Sequence, residues 1–403
     1  GHLVVANDPA ALRARWPGIW VVGPFAGRLS HRDDLLVLRD AAGNPADRVH
    51  YFDDGRWPRD ADGGGASLEL RSAEANNASA EAWAASRESD RSGWHDYSYR
   101  GIAHASPLGP DGQWHEFVVG LLDWGEVLLD DLSVIESPDG LAVQLLQNGT
   151  FETGAASWRI LGNHHGEVIA DPDQPANRVL RLTASGPTEH MSNHAETTFK
   201  NNRDIVNGLE YRVAFRAKWI RGSRQLHTRL YFNRLARTTR LESPPRQGTP
   251  GTPNSTRVAN LGPTFRGLRH EPAVPAPGEP VVISVELEDP DGLGAASLHW
   301  RVDGGSWQNA AMLADPVRPE RYWAMLPGAP AGQVLQFYVE AADGRGAMAA
   351  CPAAGARSRA LCQVDDGLAA THGLQNLRLI ALREDADALH DPEVLLHAAF
   401  GVP

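Results

Sequence analysis

Short apolar runs alternate with polar residues along most of this chain, and each run is closed by Gly, Pro, Asn or Asp. That rhythm predicts strands and turns rather than helices. The clearest stretch is Gly125–Glu152, where apolar and acidic residues interleave from Glu126 to Val134 and the sequence then turns through Ser137-Pro138-Asp139-Gly140 towards Asn148-Gly149-Thr150-Phe151-Glu152. Leu226–Phe232 alternates in the same way. Towards the N-terminus, strands are expected at Leu3–Ala6, Trp20–Val22, Asp34–Arg39, Arg48–Phe52 and Ser67–Leu70, with Asp40–Asn44 joining the third and fourth as a hairpin. Asp8 and Pro9 have the chemistry of a helix N-cap and first position, so Asp8–Arg15 is expected to form one or two helical turns. In the second half, strands are expected at Val281–Leu287, Ser297–Val302, Arg321–Leu326 and Val334–Ala341. The pattern predicts an all-β fold of tandem β-sandwiches.

At about 150 residues per domain, 403 residues hold two to four domains. Residues 1–95 resemble the lamin tail domain of bacterial surface proteins. The resemblance rests on LVVANDPAALRARWP, the GRLSHRDDLLVLRDAAGNPADRVHY hairpin, WPRDADGGGASLEL and AWAAS. It implies an immunoglobulin-type sandwich used in adhesion or targeting, here without the family's opening strands. The closing segment of that family, Thr249-Pro250-Gly251-Thr252-Pro253-Asn254, follows only after a long interruption, so residues 246–256 are expected to close the first sandwich around an insertion.

The interruption, residues 96–245, resembles jelly-roll carbohydrate-binding modules. Asn148–Glu152 with Trp158, Tyr211–Lys218, Trp114-His115-Glu116-Phe117 and Gly125–Val134 match that family's pieces, with the closing pieces first. A circularly permuted jelly roll is expected, its new ends near Tyr97 and Glu242. The resemblance implies a structural Ca²⁺ held by Asp130, Asp131, Asn148 and Glu152; the alternative is that these acids cap strand ends. A ligand groove is expected among Trp158, Asn163, His164, His165, His190, Asn193, His194, Trp219, Arg229, Tyr231 and Asn233, since sugars pack on aromatic faces and bond planar polar groups. His190 and His194 have the i, i+4 spacing of a helical zinc site, but the flanking Gly, Pro and Thr residues argue for loop and strand.

Residues 257–366 resemble Ig-like or fibronectin-type spacers through Trp300, Trp307 and Tyr338-Val339-Glu340-Ala341. Residues 367–403 resemble the start of a CotH-type spore-coat kinase-like domain, read as a strand at Leu374–Leu382 and a helical turn at Glu384–Leu389.

The net charge of −12 argues against nucleic acid, which needs clustered Lys and Arg. No apolar run is long enough for a membrane-spanning helix. The chain opens on Gly1-His2 inside an apolar run, with no initiator Met or signal peptide, and reads as a fragment of an extracellular or cell-surface protein. The two cysteines, Cys351 and Cys362, form a disulfide in that setting or stay as separate thiols. No Gly-x-Ser-x-Gly, His-Glu-x-x-His or phosphate-loop motif occurs. The sequence is therefore expected to be non-catalytic, binding a glycan or cell-surface polymer. The alternatives are the accessory front of a CotH-like kinase and a spacer without ligand.

Overall fold

The computed structural model describes residues 1–105, 114–188, 190, 192–369, 377–383 and 385–386. The fold is all-β. Its first stretch contains β1 (Val4–Val5), helix α1 (Pro9–Arg15), β2 (Val21–Val22), β3 (Asp33–Arg39), β4 (Pro45–Phe52), β5 (Leu68–Leu70) and β6 (Trp83–Ala85). Asp8 caps α1 by accepting from the Ala11 N–H at 2.9 Å. The strands form three separate two-stranded ribbons, β1–β2, β3–β4 and β5–β6. The sandwich expected here is not closed within residues 1–95: Leu35, Leu36, Val37 and Leu38 of β3 all face solvent to a large degree. An open apolar slot of about 490 Å³ lies between the β3–β4 hairpin and the β5–β6 ribbon, with Leu36, Phe52, Leu68 and Trp83 in its walls.

Next come β7 (His95–Ile102), β8 (Glu116–Leu121), β9 (Gly125–Glu136), β10 (Val143–Gln144), β11 (Trp158–Leu161), β12 (His164–Ala170), β13 (Arg178–Ala184), β14 (His194–Thr198), β15 (Glu210–Gly222), β16 (Gln225–Leu230) and β17 (Leu235–Arg240). They make two facing sheets. One runs β12-β13-β9-β15-β7, with β10 also on β9; the other runs β11-β14-β8-β16-β17. Alternate residues of both sheets fill one core, among them Phe117, Val119 and Leu121 of β8 and Tyr211, Val213, Phe215, Ala217 and Trp219 of β15. β9 is the organising strand, antiparallel to β13 and to β15 and turning through Ser137–Ala142 into β10.

Asn148–Glu152 is a turn, not a strand. Asn148 and Phe151 have φ of 47° and 56°. The Asn148 amide donates to the Gly154 and Ala156 carbonyls, and Phe151 plugs the core from the turn. The Leu132 N–H still donates to the Gly149 carbonyl, so this turn lies against β9 inside the same sandwich.

The two ends of this sandwich meet, the Glu242 N–H donating to the Tyr97 hydroxyl at 2.8 Å. The chain then returns to the β5–β6 ribbon. The buried Glu69 carboxylate of β5 accepts from the Thr249, Ser255 and Thr256 hydroxyls and the Thr256 N–H, and Asn254 donates to the Leu70 carbonyl.

The third stretch contains β18 (Thr264–Glu271), β19 (Val281–Glu288), β20 (Leu293–Val302), β21 (Gln308–Ala311), β22 (Leu313–Ala314), β23 (Arg321–Leu326), β24 (Val334–Asp343), β25 (Met348–Cys351) and β26 (Leu361–Gln363). Its sheets, β18-β19-β23-β22 and β21-β20-β24-β25 with β26 on β24, enclose a second core. The expected disulfide is corrected by this register. Cys351 lies opposite Val339 and Cys362 opposite Leu335. Those positions are about 13 Å apart along β24, whereas a disulfide needs Cα atoms within about 7 Å. Both thiols are free, and burial pushes each thiol's pKa up, to about 11 at Cys351.

Most of the stretch assigned to a CotH-like start lies outside the described residues; the described part, residues 377–382, is not a strand. No helix among the described residues is long and apolar enough to cross a membrane.

Candidate functional site

The outer face of the sheet β11-β14-β8-β16-β17 gathers more planar polar side chains than core packing requires. Strand alternation points Phe117, Val119 and Leu121 inward, so Val118 and Gly120 face out. Across the sheet, Arg159, Glu196, Val118, Arg229 and Ala236 are register neighbours in one row. In the next row Gly120 faces His227, with Thr238 beyond it. A Cβ on Gly120 would come within 3.0 Å of His164 Nε2 and 3.3 Å of the His194 Cα, so glycine lets these two side chains close over β8.

Hydrogen bonds knit the row together. Arg159 Nε donates to Glu196 Oε1 at 2.8 Å, and His194 Nε2 lies 3.1 Å from Glu196 Oε2. Arg229 Nη2 lies 3.5 Å from His194 Nδ1, which places the His194 proton on Nε2. Burial alone would raise the Glu196 carboxyl, but the bonds from His194 and Arg159 hold it at about 2. Burial lowers the pKa of Arg229, and burial together with the Arg229 charge lowers that of His227. The Arg229 guanidinium sits 5.6 Å from the Tyr231 ring centre, and Tyr231 meets Trp114 edge-on at 4.9 Å. His190 is half-buried at the other end, beside Thr188 and Asn193. The result is a ledge with an anion, two cations, imidazoles and an aromatic edge, suited to bonding hydroxyls and stacking a ring.

The expected groove residues divide into three groups. His190, Asn193, His194, Arg229 and Tyr231 come together on this face. Asn163 and His164 are buried supports beneath one end. His164 Nδ1 bonds Asn163 Oδ1 at 2.8 Å while its Nε2 accepts from the Leu121 N–H at 3.0 Å. Both ring positions are thus used in the neutral form, and burial lowers the His164 pKa to about 3. The remaining residues are corrections. Trp158 and Trp219 belong to the core and offer no platform. His165 is exposed on the opposite sheet, opposite Thr183, and Asn233 is exposed in the turn between β16 and β17. His190 and His194 sit in loop and strand rather than on a helix. Arg159, Glu196 and His227 were missed, although Leu226–Phe232 alternates and puts His227 beside Arg229.

Of the residues expected to hold Ca²⁺, Asp130, Asp131 and Glu152 do not form a group of three carboxylates with ligand atoms within 4.8 Å of one another. Arg216 lies 3.6 Å from Asp130 and 3.4 Å from Asp131, while Asn177 donates to Asp130. Glu152 accepts from the Arg178 N–H, and the Asn148 NH2 group donates within its own turn while its Oδ1 accepts from the Thr153 N–H at 3.4 Å. All four make hydrogen bonds or ion pairs around β9. A tighter acidic group, Asp289, Asp291 and Asp343, joins two turns of the third stretch. It already receives Arg345 on Asp291, and Asn260 with two backbone N–H groups on Asp343.

No family model matches the sequence, and no curated protein matches it. Among solved structures, the chain is similar to a Br derivative of BhCBM56, with 15% identity, 23% of this chain and 88% of that one covered, and a TM-score of 0.16. It is also similar to a DUF4785 family protein from Legionella pneumophila subsp. pneumophila str. Philadelphia 1, with 9% identity, 70% and 66% covered and a TM-score of 0.17. A third similarity is to pullulanase from Bacillus acidopullulyticus, with 8% identity, 65% and 34% covered and a TM-score of 0.14.

Proposed function

We propose that this chain is a non-catalytic binding region of an extracellular or cell-surface protein, and that its jelly roll holds a glycan on the outer face of the sheet β11-β14-β8-β16-β17. The observation that carries the reading is the row Arg159, Glu196, His194 and Arg229 ending on Tyr231. Each of these groups is fixed by its neighbours before any ligand arrives, so little ordering cost remains on binding. The resemblance of residues 1–95 to lamin tail domains supports a surface location.

A glycan array followed by calorimetry on the array's best ligand tests the proposal. Tyr231→Ala and Arg229→Ala should each weaken binding by roughly tenfold or more, about 1.4 kcal/mol. His165→Ala, on the opposite sheet, should leave it unchanged. A blank array, or affinity insensitive to Tyr231 and Arg229, would dismiss the reading.

A further inference from the structure

A second recess lies where the turns of the jelly roll meet the loop that starts at Arg59. It is a cleft of about 420 Å³ whose walls include Arg59, Asp62, Asp123, Trp124, Arg224 and Arg240, within the roughly 300–1,000 Å³ usual for small-ligand sites.

Trp124 is built into this cleft rather than left on the surface. Gly222 has φ of +71°, and a Cβ there would come within 2.5 Å of the Trp124 carbonyl oxygen and 2.7 Å of its ring. Glycine is what lets the indole lie so close to the β15–β16 turn. The Ser223 N–H donates to the Trp124 carbonyl at 2.8 Å, which locks the two turns together. The guanidinium carbons of Arg59 and Arg221 lie 5.2 and 5.5 Å from the Trp124 ring.

The cations here differ in what they already hold. Arg221 is engaged by Glu126 at 2.9 Å and Asp60 at 3.7 Å. Arg224 donates to the Ser243 hydroxyl at 2.7 Å, and among the described residues neither Arg224 nor Arg240 is ion-paired with a carboxylate. In a chain carrying −12 overall, two arginines without acidic partners beside a fixed indole mark a place that favours a flat ligand with negative charge. A guanidinium matches the two oxygens of a carboxylate in a planar, bidentate pair. Asp62 and Gln225 line the same cleft and offer partners for hydroxyls.

We propose that this cleft binds an acidic saccharide, a uronate whose ring stacks on Trp124 and whose carboxylate is held by Arg224 and Arg240. The site is separate from Tyr231 and does not require the sheet face to bind anything. The outward positions of β16, namely Gln225, His227 and Arg229, lead from one place to the other, so a single polymer has a route across both.

Calorimetry on the full chain at low salt, with trigalacturonic acid as the probe, tests this. Binding is expected and should weaken as NaCl is added. The Arg224→Ala/Arg240→Ala double variant should lose roughly tenfold or more in affinity, as should the probe's methyl ester, which keeps the rings but not the charge. Trp124→Ala should weaken binding as well, with unchanged circular dichroism showing that the fold survives, and Tyr231→Ala should not affect this probe. Absence of binding, equal binding of the ester, or full affinity in the double variant overturns the assignment. Sodium sulfate bound as tightly as the saccharide would make the cleft a plain anion site, which also overturns it. A blank neutral-glycan array beside intact uronate binding would dismiss the sheet-face reading alone.

Discussion

β3 and β9 are both apolar strands that carry adjacent aspartates, and they meet opposite fates. β9 reads GEVLLDDLSVIE, has hydrogen-bonded neighbours on both edges, and buries Val127, Leu129, Leu132 and Val134 almost completely. Its acids are also provided for: Glu126 by Arg181 and Arg221, Glu136 by Arg203 and the Tyr211 hydroxyl. β3 reads DDLLVLR and among the described residues has one strand neighbour, β4, while Leu38 is 65% exposed. The comparison teaches that an apolar run does not bury itself. Burial comes from the number of strands the rest of the chain supplies around it; the β3–β4 ribbon faces only the small β5–β6 ribbon, across an open slot.

The sharpest way to break the comparison is to empty each region in turn. Trp219, only 1% exposed, packs in the jelly-roll core, and its indole N–H donates to the Gly222 carbonyl. Trp219→Ala should cost about 3–5 kcal/mol in urea unfolding, the range for a buried aromatic truncated to Ala. A loss below about 1 kcal/mol would mean that this core relaxes around the cavity, and the contrast with β3 would fail.

The same residue shows what the sequence could tell. Tyr211, Val213, Phe215, Ala217 and Trp219 occupy every second position of β15, a run that points all five to one face. Alternation therefore already argued against Trp219 as a sugar platform, and its aromatic identity misled. Strand positions, turns and the all-β class were legible because they depend on local pattern. The Arg159–Glu196–His194–Arg229 row was not, because its members come from three strands far apart in sequence. The Asn148–Phe151 turn was misread because the strand was carried over from the family resemblance, although Asn148-Gly149 is itself a turn signal. The cysteines were misjudged for a related reason: closeness in sequence says nothing of register on β24.

A second, smaller effect separates the regions by pH. His164 is held neutral by the fold, its pKa lowered from 6.5 to about 3, because burial penalises the charged imidazole, with the neighbouring imidazoles adding to the effect. Acid therefore favours the unfolded chain. The stability tied to this residue is complete above pH 6.5 and drains away as the pH falls towards 3, by up to roughly 1.4 kcal/mol per unit. Glu196, lowered from 4.5 to about 2, adds a further loss below pH 4.5. Urea midpoints at pH 7, 6 and 5 should fall steadily in the native chain. A His164→Gln variant should be less stable at pH 7 but nearly flat over that interval. Parallel slopes in the two proteins would remove His164 as the cause.

The smallest expected change sits in the hairpin and completes the contrast. Leu38→Lys alters a side chain that touches little, so unfolding free energy should move by no more than about 0.5 kcal/mol. What should change is surface behaviour. Leu35–Leu38 and Phe52 leave exposed apolar side chains on both faces of a hairpin whose outer edges pair with no other strand among the described residues, the kind of surface that binds hydrophobic dyes and promotes self-association. Leu38→Lys should therefore lower the fluorescence of bound anilinonaphthalene sulfonate and reduce any concentration-dependent association seen in sedimentation. A stability loss of about 2 kcal/mol or more would instead mean that Leu38 is packed in solution. The hairpin would then behave like β9, and the number of neighbouring strands would no longer explain the difference between them.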